Sequence, residues 1–281
     1  MPPSVLLPPY EPRRVIVHQH IMKCAGSTII AILERVFGND LYHVHRDSPR
    51  GVIYPEQLAA YIEATPDVRA ITTHHLRSGP TEGPFEVVDC APLRDPIDRI
   101  ASLYRFTSGD PSQMVHPLTV RGMEAFVHSV LEQFPDVLMN VQTAVLVTRA
   151  ASRPAGPIDL ERAIERTRRS SFLVIADRFD ESMVVAEYFL CRSSPELRLH
   201  YRAENVTRPL ETPLDERRRE IRAEVGESTY ALLQRISELD EALLTAARAE
   251  LDRRIALVPG FALRLQAFRR RCATFAEAQP A

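Results

Sequence analysis

The chain's single lysine sits in its most chemically suggestive stretch, Lys23-Cys24-Ala25-Gly26-Ser27-Thr28. Small side chains let an anion approach the backbone, Gly26 tolerates tight geometry, and Ser27 and Thr28 each offer a hydroxyl. Lys23 adds a point charge. Of the 35 basic residues 34 are arginine, so lysine is kept here, where a compact ammonium is not interchangeable with a broad planar guanidinium. The spacing is not that of the nucleotide triphosphatase loop, in which lysine directly follows the last glycine of GxxxxGK[ST]. Here lysine comes before the glycine, and no GxGxxG is present.

A second candidate for holding an anion begins at Arg94. It closes the apolar run FEVVDCAPL, and a guanidinium at a strand end can clamp a phosphate with its fork of donors. Asp95 can cap the helix that follows and Pro96 suits its first position. Ser102 lies two turns in, on the face of Asp95 and Arg99, within reach of the same anion. An acceptor hydroxyl would need a base, and histidine titrates closest to neutrality. His74 and His75 end another apolar run. His43 with His45, and His18 with His20, read as scaffold or as acceptor-pocket residues.

These residues need a frame. RVIVH at 14–18 reads as a buried strand, and STIIAILERVF places Ile29, Ile30, Leu33, Val36 and Phe37 at helical spacing, ending at Gly38-Asn39. The anion loop therefore joins a strand to a helix N-terminus, where backbone N–H groups and partial positive charge favour an anion. Further strands are expected at 41–45, 68–75, 85–93 and 172–176. Helices are expected at 55–66, from Pro96, around 122–133, 137–149 and 159–169, and at 180–190. Alternating strands and helices predict an α/β three-layer sandwich with a central, mostly parallel sheet. From about 214 the pattern is helical only, so the expectation is one domain over 1–281: a core at 1–213 and a helical extension at 214–281. A stripe from Leu232 through Leu251 is expected to pack on the core, with a homodimer surface as the alternative.

HIMKCAGST resembles the 5′-phosphosulfate loop of the sulfotransferases, especially the branch that opens HIPK[TC]AG[TS] and includes the heparan 2-O-sulfotransferases and bacterial relatives. LRDPIDRIASLYRF at 93–106 is similar to that branch's 3′-phosphate motif, LRDPxxRxxSxY. Fainter likenesses lie at Asn140-Val-Gln142-Thr143, at 159–190 and around Leu239-Asp240. The resemblance implies 3′-phosphoadenosine 5′-phosphosulfate as cosubstrate, adenosine 3′,5′-bisphosphate as product, and no metal. It implies that Lys23, Cys24, Ala25, Gly26, Ser27 and Thr28 hold the 5′ end while Arg94 and Ser102 hold the 3′-phosphate. Lys23 would stabilise the leaving oxygen. HHLRSG resembles the family's G-H-[LMV]-P-[FY]-G, which makes His75 the matching base. His74 stands in place of that glycine, Arg77 in place of a common proline, and Met22 in place of the proline in HIPK.

Composition narrows the alternatives. A formal net charge of -2 lacks the basic excess of a general nucleic-acid binder. No run nears the ~18 apolar residues of a membrane span, and the N-terminus lacks a secretory pattern. Four scattered cysteines without a CxxC read as free thiols, and the cytoplasm is the expected compartment. The acceptor would be a small-molecule or glycan hydroxyl, with Arg46, Arg50 and Arg77 able to face an acidic one. The rivals are a non-catalytic nucleotide-binding module and an ATP-dependent kinase-like enzyme.

Overall fold

The computed structural model describes residues 12–48, 51–79, 81–109, 121–148, 153–191, 194–203 and 212–278. Arg50 and most of the loop at 107–121 lie outside these. The chain is α/β, with a parallel four-stranded sheet between helices. Its strands are β1 (Arg13–Gln19), β2 (Leu41–His43), β3 (Ala70–Thr73) and β4 (Phe85–Cys90), in the order β2-β3-β1-β4. Ile16 sits between Ala70 of β3 and Val88 of β4. The run expected as one strand at 85–93 divides at Ala91. Its end, β5 (Pro92–Leu93), pairs instead with β6 (Val174–Ile175). His45 likewise lies beyond the short β2, and His74-His75 lie beyond β3.

The period-two alternation of a strand explains the layers. Ile16, Ala70 and Val88 face α1 (Gly26–Phe37), α7 (Phe179–Leu190) and α10 (Phe261–Ala278) in one buried cluster. Val15, Val17 and Ile71 face Leu58 and Ile62 of α2 (Pro55–Ala64) on the other side. Arg13 fastens that helix by donating to the carbonyls of Ile62 and Thr65, at 2.6 and 2.7 Å.

Beyond the sheet, α3 (Pro96–Gly109), α4 (Met123–Gln133) and α8 (Leu214–Ile236) share a third cluster built on Ile97, Ile100, Phe126 and Leu233. The helix expected at 137–149 is shorter, α5 (Val141–Val147), because Pro135–Val137 forms a 3₁₀ turn and Asn140 takes left-handed φ before it. α6 is Pro157–Arg169. The C-terminal stripe breaks at Ser237 into α8 and α9 (Glu238–Ala256). Leu243, Ala247 and Leu251 are buried beside Ile21, Cys24, Leu93 and Val145, so the stripe closes the core of its own chain.

Among the described residues the paired strands of the four-stranded sheet run parallel, so the segments that follow them gather at one edge. The chain leaves β1 for β2 on one side, returns to β3 between them, and then crosses β1 to reach β4 on its other side, so the connections part at β1. That is the topological switch point, outside whose carboxyl end an open α/β sheet binds its ligands.

Candidate functional site

Residues 20–25 turn from β1 into α1 through two non-glycine residues with left-handed backbone, Lys23 at φ 65° and Ala25 at φ 63°. Such angles cost energy and persist where surroundings enforce them. Gly26 is needed for a different reason. Its φ is ordinary, but a Cβ there would lie 2.1 Å from the His20 ring. The imidazole therefore lies against the first residue of α1. Cys24 and Thr28 are buried, while Lys23, Ala25 and Ser27 are half-buried.

Lys23 carries its ammonium 4.0 Å above the centroid of the Phe106 ring, a cation–π contact. Burial, and then the charge of Arg94, hold its pKa below the ordinary lysine range. An anion would relieve both effects. Phe106 belongs to α3, where Asp98, Ser102 and Phe106 succeed one another at i, i+4, i+8 on one helix face. Asp98 holds Arg94 and Phe106 underlies Lys23, so Ser102, 3% exposed, sits on the face that runs between the two cations. Arg99, also on α3, is buried and donates to the Val137 carbonyl at 3.0 Å.

Arg94 ties the two segments together. Its Nη1 donates to the Lys23 carbonyl at 3.0 Å across 71 residues of sequence. Its Nε donates to Asp98 Oδ2 at 2.8 Å, and Nη2 lies 2.7 Å from the same oxygen. Its backbone is held by Gln142, which is 1% exposed. The amide oxygen accepts the Arg94 N–H and the amide nitrogen donates to the Arg94 carbonyl, each at 2.8 Å. The Cys24 thiol also approaches that amide oxygen, at 3.6 Å. Burial pushes the thiol up to about 12, so it stays protonated and able to donate.

The brace continues into the C-terminal helices. Buried Asp240 accepts from the backbone N–H of Gln142 at 3.0 Å and of Thr143 at 2.8 Å, and from the Thr143 hydroxyl at 2.8 Å. Asn140 returns the contact, its Oδ1 accepting from Leu239 N–H at 2.9 Å. The segment Asn140–Thr143 is therefore a brace behind the site, and Asp240 its anchor. Neither role has a local sequence signal, because each partner is about a hundred residues away.

The histidines form a ladder along the same edge. Ring centroids are 5.2 Å apart for His18–His20, 3.9 Å for His20–His74, 6.1 Å for His74–His45, and 5.9 Å for His45–His75. Burial first, and neighbouring imidazoles next, hold the pKa of His18 and His20 down, His20 to about 3. Burial also lowers the pKa values of His45, His74 and His75.

The adjacent pair differ sharply. His75 is buried, its Nδ1 accepts the backbone N–H of Arg46 at 3.3 Å, and the Ser48 backbone also bonds the ring. His74 lies against His20 on one side and keeps the rest of its surface exposed. Its Nδ1 is 2.9 Å from the His20 carbonyl. A carbonyl can only accept, so the neutral ring carries its proton on Nδ1 and presents Nε2 as a lone pair. The structure thus joins His74, not His75, to the Lys23 loop through His20. Arg77 is half-buried and its charge interacts with Asp136; Arg46 reaches Gln57 Oε1 at 2.9 Å. Among the described residues no group of three or more His, Cys, Asp or Glu is placed to hold a metal ion, and no helix is long and apolar enough to cross a membrane.

Fold and site together define an α/β protein whose basic loop, basic strand end and histidine ladder meet at one sheet edge. The chain is 26% identical over 243 residues to an uncharacterized protein of Archaeoglobus fulgidus, an alignment that covers 82% of this chain and 94% of that one. No family model matches the chain.

Proposed function

We propose that this protein is a sulfotransferase, taking the sulfuryl group of 3′-phosphoadenosine 5′-phosphosulfate to an acceptor hydroxyl. The observation that supports this reading is the bond from Arg94 to the Lys23 carbonyl, which brings together two segments, 71 residues apart, whose residues suit anions. A nucleotide with a phosphate at each end is the ligand that such a divided site suits.

The residues have separable tasks. The turn at 23–28 receives the 5′-phosphosulfate on backbone N–H groups, helped by Ser27 and Thr28 and by the α1 N-terminus. Arg94 and Ser102 receive the 3′-phosphate. Lys23 neutralises charge developing on the bridging oxygen. An imidazole takes the acceptor's proton as its oxygen bonds to sulfur. The bond from sulfur to the bridging oxygen breaks, leaving a sulfate ester and adenosine 3′,5′-bisphosphate. The family likeness assigns that proton to His75, whereas the unprotonated Nε2 and the exposure of His74 favour His74. The acceptor is a small-molecule or glycan hydroxyl. Four unpaired cysteines suit a reducing compartment, and we assign the protein to the cytoplasm.

Calorimetry without metal tests the reading. Adenosine 3′,5′-bisphosphate should bind far more tightly than AMP or ATP, and Arg94→Ala should erase most of the difference from AMP. Equal binding of AMP, or preference for ATP with Mg²⁺, would sink it. Tight bisphosphate binding with no transfer to any acceptor would instead mark a non-catalytic module.

A further inference from the structure

Arg217, on α8, shares one buried carboxylate with Arg94. Asp98 is 1% exposed, and among the described residues its Oδ2 hydrogen-bonds to those two guanidiniums alone. The Arg217 side chain is 16% exposed and that of Arg94 20%. The neighbouring acid, Asp95, is served separately by Arg218, whose Nε donates to it at 2.8 Å and which also reaches Glu241. Two guanidiniums on one carboxylate stand beside one guanidinium on two, so the six groups are neutral in sum, but the positive excess lies at Arg94 and Arg217 and the negative excess at Asp95 and Glu241. With Arg94 alone the pair would be neutral, and Asp98 would compete with an incoming phosphate for the same fork of donors.

We propose that Arg217 is a positioning residue of the 3′-phosphate subsite: by taking a share of Asp98 it leaves Arg94 with charge to spend on a phosphate monoester. Arg94 does not need Asp98 to keep its place, because Gln142 holds its backbone at both N–H and C=O and its Nη1 is tied to the Lys23 carbonyl. The assignment rests on the nucleotide reading above. It makes the C-terminal helical region part of ligand selection.

The test is the ratio of affinities for adenosine 3′,5′-bisphosphate and AMP, measured by calorimetry on the full chain. Arg217→Gln keeps a donor to Asp98 but removes the charge, and should lower the ratio about tenfold. Asp98→Asn alone should keep or raise it. Combining the two should restore the wild-type ratio, because the competing carboxylate has gone; a purely structural role for Arg217 would show no such rescue. A double variant as weak as Arg217→Gln, or an unchanged ratio in Arg217→Gln, overturns the proposal. Should Arg217→Gln fail to fold, Asp98→Asn decides, and loss of the ratio there also overturns it. A wild type that binds both nucleotides equally removes the nucleotide reading itself, before any variant is made.

Discussion

Gln142 grips Arg94 by both ends of one peptide unit's neighbourhood, accepting its backbone N–H and donating to its carbonyl at 2.8 Å each. Gln142 is 1% exposed and Arg94 half-buried, so water substitutes poorly for either bond. Gln142→Met keeps the length and loses both bonds. Each buried backbone group left unpaired costs about 1–3 kcal/mol, so thermal unfolding should report destabilisation of that order. Bisphosphate affinity should fall too, and Arg94→Ala should then add less than it does in wild type. Additive effects in that double-mutant cycle would separate Gln142 from the site.

Gly26 and His20 make a second coupled pair. A methyl at Gly26 would fall 2.1 Å from the imidazole, so Gly26→Ala must displace the ring or the loop. Overpacking of this kind costs about 1–3 kcal/mol. His20→Ala removes the obstacle while leaving the His20 carbonyl that His74 contacts. The double variant should regain stability lost by Gly26→Ala, as denaturant unfolding would show. If it does not, the glycine is needed for something other than this contact.

Part of the pH dependence follows from His20. Folding lowers its pKa from 6.5 to about 3, so between those values the unfolded chain binds the proton more readily. Stability from this group is complete above pH 6.5 and declines as pH falls toward 3. His20→Phe removes the titration while keeping an aromatic ring, and its stability should fall less between pH 6.5 and 4 in urea titrations. Parallel profiles for the two proteins would place the acid sensitivity elsewhere.

Exposure and hydrogen bonding distinguish His74 from His75 as candidates for the proposed base. His74→Ala should reduce kcat for sulfuryl transfer about 10²–10⁴-fold, with bisphosphate affinity nearly unchanged. His75→Ala removes the acceptor of the Arg46 N–H and should mainly loosen residues 46–48, raising the acceptor KM. The reverse pattern returns the proton transfer to His75. Lys23→Met should lower kcat about 10²–10³-fold, as loss of a charge-stabilising group does, whichever histidine is the base.

Much of this was legible in the sequence because it is local. The strand-to-helix turn at 23–28, the capped start of α3 at Asp95-Pro96 and the alternation of strands with helices all depend on neighbours within a few residues. Local reasoning misplaced the boundaries: β3 stops at Thr73, and the 85–93 run splits at Ala91, because strand ends are set by which strand lies alongside. It also found in Asn140 and Gln142 no more than a faint family likeness, since nothing near them announces Asp240 or Arg94 as partner.

The sequence by itself determined the pieces: a lone lysine among small residues, an arginine at a strand end, histidines in pairs, and enough alternating pattern for a parallel sheet between helices. Only the tertiary structure decided how they meet. It set Arg94 on the Lys23 carbonyl, Phe106 beneath the ammonium, His20 against Gly26, and the C-terminal helices behind the site through Asp240 and Arg217. The reason is physical. Hydrogen bonds and ion pairs among buried groups form between whatever atoms the packing brings within about 3 Å, and packing joins residues whose separation along the chain carries no periodic signal.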